Sequence, residues 1–532
     1  MNKSVMLYDT TLRDGTQGEG VNFSSLDKIR IAQKLDEFGI DYIEGGWPGS
    51  NPKDVAFFEE AAKLEWKHAK IAAFGSTRRK NTPVEEDPQI ALLLAAHTPV
   101  ITFFGKSWRL HITEVLGTTE EENRAMIRDT TAYLKEHGRE VIYDAEHFFD
   151  GFKDDREHAL ATLAAACEGG ADWLVLCDTN GGTMPYEVAE ITEVVRKEFG
   201  VPVGIHTHDD CGLGLANALA SVGAGATQVQ GTINGYGERV GNCNLTSVIP
   251  NLQLKMGHEV VPNVAQLRDL SLFVDDLANC AHNPRAPYVG STAFAHKGGM
   301  HVNAVQKVAH SFEHIRPEAV GNRQRILVSE LSGQSNVLMK AEELGIPLEK
   351  GSPEAKEILQ ELKDKEQEGY EFEAAEASFE LLIRQHLETY RPYFKLHEYH
   401  CTFRRDGDRN YETCSATVKV SVEGNHEYTV AEGDGPVNAL DAALRKALKP
   451  FYPMIDEMEL EDYKVRIIDS HQGTAAKTRV LILSSDDHDS WGTVGVSFNI
   501  IQASWRALVD SIEYFLMRRG VEPAAATSQE KP

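Results

Sequence analysis

The segment GIHTHDDCGLG, residues 204–214, sets His206 and His208 two positions apart at the end of a valine-rich run, VPVGIHTH. In an extended strand, side chains i and i+2 leave the same face, so both imidazoles would project together from the strand's C-terminal end. Two neutral imidazoles that converge this way suit a divalent cation. The pair equally suits a polar strand end hydrogen-bonded to its neighbours, and the choice rests on what else the chain brings there.

Asp14 in DTTLRDG and Asn242 in NGYGERVGNCNL offer the missing ligands. One carboxylate, two imidazoles and an amide oxygen make a site without thiolate, suited to Mg²⁺, Mn²⁺ or Zn²⁺ and open to substrate. A 2-oxo acid could chelate such a metal through its ketone and carboxylate oxygens, which polarises the ketone. Attack on that carbon generates an alkoxide, and the guanidinium of Arg13, beside Asp14, is placed to stabilise it. A proton must also leave the attacking carbon. Glu146 in DAEHFFDG and His301 in HKGGMHVNAV are the acid/base candidates.

These residues fall at the ends of a regular series. Short apolar runs (VMLYDTT, DYIEGG, AKIAAFG, PVITFFG, EVIYDAEHF, DWLVLCDT, VPVGIHTH, ATQVQGTING) alternate with amphipathic segments such as SSLDKIRIAQKLDEFG. About eight βα units predict an α/β fold, a TIM barrel, with a doubly wound sheet as the alternative. In a barrel, chemistry sits where strands end. Arg13, Asp14, Glu146, Thr179 in CDTNGG and the histidine pair all occupy such ends.

The expected domains are a catalytic barrel over 1–275, helical linker subdomains over 276–395, an α+β regulatory domain over 396–520 and a disordered tail over 521–532. The charged stretch 350–390 reads as a solvated helical connector. In the C-terminal region GDGPVNALDAALRKAL resembles VGVSFNIIQASWRALVDSIEYFL, a weak repeat of glycine turn, Asn and helix after strands.

A formal charge of -27 argues against nucleic acid or an anionic membrane as a bulk partner. No run of 18 apolar residues and no signal-like start is seen, and 7 scattered cysteines make neither a disulfide framework nor a zinc ribbon. A reducing cytoplasm is expected. Cys211 and Cys243 stand near the histidines with nothing beside them to activate a thiol. Arg78, Arg79 and Lys80 could bind phosphate or carboxylate groups, but a solvated loop is the preferred reading. GYG in NGYGERVGN is a weak phosphate-loop signal, and a turn presenting Asn242 is preferred.

DTTLRDGTQGEG, HTHDDCGLGLANALASVGAGATQVQGTINGYGERVGNCNL and HKGGMHVNAV resemble the family of 2-isopropylmalate, homocitrate and citramalate synthases, and the resemblance extends over nearly the whole chain. The start, LYDTTLRDGTQGEGVNFSSLDKIRIAQKLDEFGIDYIEGGWPGSNPKD, looks most like the citramalate branch. The resemblance implies condensation of acetyl-CoA with pyruvate, then thioester hydrolysis. It implies Asp14, His206, His208 and Asn242 as metal ligands, Arg13 polarising the carbonyl, Thr179 on the substrate carboxylate, and Glu146 with His301 moving protons. It also implies a homodimer and, through 396–520, feedback inhibition, with isoleucine the expected amino acid. Relatives often carry Tyr where Phe312 stands, so a role for that hydroxyl lapses here. A 2-isopropylmalate synthase using 2-oxoisovalerate, or an inactive regulatory sensor, are the alternatives. Phe103 and Phe104 could narrow the pocket toward pyruvate, or could simply pack the core.

Overall fold

The computed structural model describes residues 5–297, 301, 304–305, 307–327, 334–387, 390–406, 411–468 and 475–523. It divides into two compact units, one of residues 1–294 with 313–324, the other of 295–312 with 325–532.

The first unit is a closed, all-parallel barrel. Its strands are β1 (Met6–Asp9), β2 (Tyr42–Gly46), β3 (Lys70–Ser76), β4 (Val100–Lys106), β5 (Glu140–Glu146), β6 (Trp173–Asp178), β7 (Val203–Thr207) and β8 (Gln228–Gly231). They follow chain order around the ring, and β8 closes on β1 with Met6 opposite Gln228 and Asp9 opposite Gly231. The doubly wound alternative is thereby excluded. Local signals explain the connecting helices. α1 (Ser25–Phe38) starts in a capping box between Ser24 and Asp27 and stops at Gly39, whose φ of 99° is left-handed. Proline opens α2 (Pro52–Ala61) and α3 (Pro88–Ala95), where its missing N–H costs nothing.

Alternation along each strand sorts the side chains into two layers. Leu7, Ile43, Ile101, Leu174 and Ile205 face the helices in the main core. Tyr8, Tyr42, Ala72, Val100, Ile142 and Val175 fill the barrel interior, and polar groups replace them toward the strands' C-terminal ends. His206 follows Ile205 and so points inward. Beyond β8, the helix Leu267–Ala278 adds Leu267, Leu270 and Val274 to the outer core.

The second unit contains two antiparallel three-stranded sheets. One is Lys395–Asp406, Tyr411–Val422 and Asn425–Gly433; the other is Glu459–Ile467, Thr478–Ser485 and Ser490–Ser497. Each is followed by a helix, Pro436–Leu448 and Ile500–Arg518 respectively, which is the structural form of the sequence repeat. The connector read as solvated is only partly so. It breaks at Gly369 (φ 109°) into helices Pro353–Glu368 and Glu376–His386. The second helix buries Phe379, Leu382 and Ile383 against Val494 and Val496, while its charges neutralise each other, as in the 2.6 Å Arg384–Glu380 pair. A charge run therefore hid a core helix. From 524 on, the expected disordered tail lies outside the described residues.

Candidate active site and metal centre

At the C-terminal mouth of the barrel a cavity of about 250 Å³ is lined by Arg13, Asp14, Glu146, Thr179, His206 and His208. The C-terminal ends of β5 and β7 and the loops after β1, β6 and β7 thus deliver six of the eight anticipated residues to one space.

The Oδ2 of Asp14 lies 3.3 Å from His206 Nε2, which lies 3.4 Å from His208 Nε2. Among the described residues this buried trio is the group whose ligand atoms all lie within 4.8 Å of one another. Ligands about 2.1 Å from a shared cation stand roughly 3.0–3.4 Å apart, so the spacing fits a divalent ion. The surroundings fit it too. His206 Nδ1 donates to Gln230 Oε1 at 2.8 Å, and Gln230 Nε2 donates to Asp144 Oδ1 at 3.1 Å. The amide is thereby oriented as an acceptor, the His206 proton is fixed on Nδ1, and the Nε2 lone pair is left for a metal.

Asn242 stands beside the trio, bridged by its backbone to His208. Its Nδ2 donates to the Tyr236 carbonyl at 3.3 Å, while its Oδ1 is buried without a partner. A buried amide oxygen with nothing to accept is costly unless something positive completes it. Close backbone approach makes this possible, because a Cβ on Gly237 would meet Asn242 Nδ2 at 2.2 Å.

Electrostatics agree with a cation site. Burial raises the Asp14 carboxyl, but Arg13, His206 and His208 outweigh it and hold the group well below the usual carboxylate range. Burial, aided by His206, pushes His208 down to about 3, so that ring is neutral. Burial also disfavours the His206 imidazolium, yet Asp14 and Asp144 raise its pKa overall. A cation between these groups supplies the same positive charge without a proton.

Arg13 is held on three sides. Its Nε donates to Glu44 Oε1 at 2.5 Å, its Nη1 lies 3.4 Å from Asp14 Oδ1, and its guanidinium sits 3.6 Å from the centroid of the Phe74 ring. Glu44 is fully buried and also accepts the Tyr8 and Thr10 hydroxyls, each at 2.5 Å. Glu146 lines the cavity and pairs with Lys106. Thr179 Oγ1 accepts the His147 N–H at 2.9 Å, so its own hydrogen remains free to donate. His301 belongs to the second unit, is exposed, and stacks on Phe312 at 4.5 Å. Of its motif HKGGMHVNAV, residues 298–300, 302 and 303 lie outside the described residues.

Residues 4–274 match the HMGL-like family model, 288–369 the homocitrate synthase post-HMGL domain-like model, and 373–516 the LeuA allosteric (dimerisation) domain. The chain is 56% identical over 521 residues to an (R)-citramalate synthase of Aquifex aeolicus, covering 97% of this chain and 99% of that one. It is 54% identical over 514 residues to an (R)-citramalate synthase of Geobacter sulfurreducens, covering 96% and 97%. Against a 2-isopropylmalate synthase of Methanocaldococcus jannaschii, identity falls to 30% over 517 residues, covering 97% and 95%.

The chain belongs to the (R)-citramalate synthase family.

Several residues at the mouth of this citramalate synthase family barrel escape sequence reading. Glu44 reads as an ordinary strand residue, and only its burial beside Arg13 shows its use. Trp47, Phe74 and Phe104 form an aromatic wall of the cavity: Phe74 and Phe104 stack at 5.7 Å and Trp47 meets both edge-on at 5.9 Å. Phe103, by contrast, packs against Tyr143 in the core, so only Phe104 faces the cavity. Arg239 grips Asp210 with two bonds of 2.7 and 2.8 Å and donates to the Thr179 carbonyl at 2.8 Å. Arg78 is neither a solvated loop residue nor open to phosphate. It is buried and ion-paired to Glu122 at 2.7 Å and Asp129 at 2.9 Å, and Lys80 is spent on the Leu116 and Gly117 carbonyls. Burial raises Cys243 to about 12, which leaves it inert.

Proposed function

We propose that this protein condenses acetyl-CoA with pyruvate and hydrolyses the product thioester, releasing (R)-citramalate and CoA. The observation that carries this reading is the convergence of Arg13, Glu146, Thr179 and the Asp14–His206–His208 trio on one cavity with an aromatic wall. A divalent cation held by Asp14, His206 and His208, with Asn242, would supply Lewis-acid polarisation of the bound ketone.

This chain's side chains account for the remaining steps. Thr179 donates its hydroxyl to the pyruvate carboxylate and so sets the ketone toward Arg13. Glu146 removes a proton from the acetyl methyl group, and the resulting carbanion forms the new C–C bond at the ketone carbon. Charge appears on the former ketone oxygen, where the guanidinium of Arg13 meets it at no reorganisation cost, since Glu44 and Phe74 already hold it. The family resemblance assigns the return of a proton to that oxygen to His301. Water then cleaves the thioester and the free thiol departs. Trp47, Phe74 and Phe104 restrict the acceptor's side chain and favour methyl over isopropyl.

The matched LeuA allosteric (dimerisation) domain supports a homodimer inhibited by an amino acid, with isoleucine as the effector of a pathway that begins at citramalate. The free cysteines fit a cytoplasmic setting, and no described helix is long and apolar enough to cross a membrane. Comparison of kcat/KM for pyruvate and 2-oxoisovalerate, read as CoA thiol release, tests the reading. Pyruvate should be preferred by well over tenfold; preference for the branched acid would make this a 2-isopropylmalate synthase, and absence of turnover with either would leave only a sensor.

A further inference from the structure

The metal centre has a support that lies outside the barrel. Asn242 lies near the end of the segment 233–244, in which Asn234, Gly235, Gly237, Arg239 and Gly241 all have positive φ. A Cβ on Gly241 would meet the Gly235 carbonyl at 1.9 Å, so the two ends of the loop touch. Such a chain has little intrinsic order. Ile233 and Cys243 anchor its ends in the main core, but between them it faces a cavity of about 170 Å³ lined in part by Tyr236, Asp275 and His282, so dense packing does not hold its middle.

Hydrogen bonds do. The Tyr236 carbonyl accepts from Asn242 Nδ2 at 3.3 Å and from Thr232 Oγ1 at 2.7 Å. The Tyr236 hydroxyl, at the other end of the same residue, donates to Asp275 Oδ1. Asn234 Nδ2 donates to the same oxygen at 2.6 Å, and His282 Nδ1 meets Asp275 Oδ2 at 2.6 Å. Asp275 is 5% exposed and lies on the helix Leu267–Ala278. One buried carboxylate thus ties both Asn234 and Tyr236 to a rigid helix. Tyr236 in turn fixes which atom of Asn242 is spent on the backbone and which is left free.

We propose that Asp275 and Tyr236 are positioning residues for the cation site: through the Tyr236 carbonyl they hold the Asn242 amide so that its Oδ1 is presented as a ligand. The inference rests on Asn242 being a ligand, and the experiment separates the two. Manganese affinity of the chelator-stripped full chain is measured by calorimetry and by the free-ion EPR signal, for the parent, Tyr236→Phe, Asp275→Ala, Asp275→Asn, Asn242→Ala and the Tyr236→Phe/Asn242→Ala double variant. Loss of an outer support of a metal ligand costs roughly 10- to 100-fold in affinity, so Tyr236→Phe and Asp275→Ala should bind about tenfold more weakly. Asp275→Asn should recover most of this, because its amide oxygen still accepts from Asn234 and Tyr236. Excess Mn²⁺ should restore thiol release in Tyr236→Phe, which a mere packing defect would not allow. The double variant should bind within twofold of Asn242→Ala, since the support has nothing left to orient.

Parent-like Mn²⁺ affinity in Tyr236→Phe, with Asn242→Ala weakened, overturns the positioning role alone, and so does additivity in the double variant. Parent-like affinity in Asn242→Ala overturns the ligand reading and the inference with it. Should Asp275→Ala fail to fold, Tyr236→Phe, which removes one oxygen, still decides.

Discussion

Replacing Glu44 with Gln isolates what fixes Arg13. The exchange keeps volume and hydrogen-bonding atoms. The amide oxygen can still accept from Thr10 and Arg13, and the amide nitrogen can donate to Tyr8, whose hydroxyl has Thr102 at 2.8 Å as an alternative partner. What disappears is the negative charge against the guanidinium. Hydrogen bonds to charged groups contribute about 1.5–3 kcal/mol against about 0.5–1.5 for neutral ones. The loss at Arg13 is therefore about 1–2 kcal/mol of fixation, and the guanidinium becomes free to swing toward Asp14, 3.4 Å away. A displacement of this kind should lower kcat for thiol release about 10- to 100-fold, with a smaller rise in KM for pyruvate. Glu44→Ala should also cost about 3–5 kcal/mol in urea unfolding, because it strands a buried charge. Initial rates with a thiol reagent, alongside urea titrations, give both numbers. If Glu44→Gln is destabilised yet keeps kcat within twofold of the parent, Glu44 only stabilises the barrel and the argument from pre-set Arg13 is wrong.

Phe104→Ala removes one of the two stacked rings that wall the cavity and should raise the ratio of kcat/KM for 2-oxoisovalerate over pyruvate by about tenfold or more; an unchanged ratio would clear Phe104 of any part in selectivity. Arg78→Ala removes a buried guanidinium from two partly exposed carboxylates and should cost about 1–2 kcal/mol of stability while leaving KM for acetyl-CoA unchanged; a large rise in that KM would restore a phosphate-binding role. Burial raises Glu513 from 4.5 to about 7, against the hydrogen bonds it accepts from Tyr390 and the Tyr393 backbone. The folded state therefore holds its proton more tightly than the unfolded chain, and this carboxyl's contribution to stability falls as pH rises from about 4.5 to about 7. Glu513→Gln should accordingly melt higher than the parent at pH 8, with the advantage gone at pH 4.5; an advantage independent of pH would refute the assignment.

The barrel was legible because its signal is repeated. Eight short apolar runs alternating with amphipathic helices admit few other closures, and the strand ends then name Arg13, Asp14, Glu146, Thr179, His206 and His208 as neighbours. The i, i+2 spacing of the histidines needs only strand geometry. Glu44 stayed hidden for the opposite reason: nothing in DYIEGG distinguishes a carboxylate turned into the barrel from one at its rim. Gln230 and Asp144 were equally silent, since their use depends on side chains from different strands meeting. Arg78 looks like a solvated loop residue in sequence because Glu122 and Asp129, its partners, arrive from a helix more than forty residues on. The helix Glu376–His386 reads as a solvated connector in sequence because local charge cannot reveal partners such as Val494 and Val496. Asp275 and Tyr236 gave no signal at all, because a support is visible only through what it supports.

The proposed chemistry turns on a cation shared by Asp14, His206 and His208. Its most direct test is a Mn²⁺ titration of chelator-stripped protein, parent beside Asp14→Ala, with thiol release from acetyl-CoA and pyruvate followed in the same samples. The parent should bind one ion per chain and recover turnover in step with occupancy, while Asp14→Ala should bind far more weakly and stay inactive. Full turnover in the stripped parent, or in Asp14→Ala without bound ion, would contradict it.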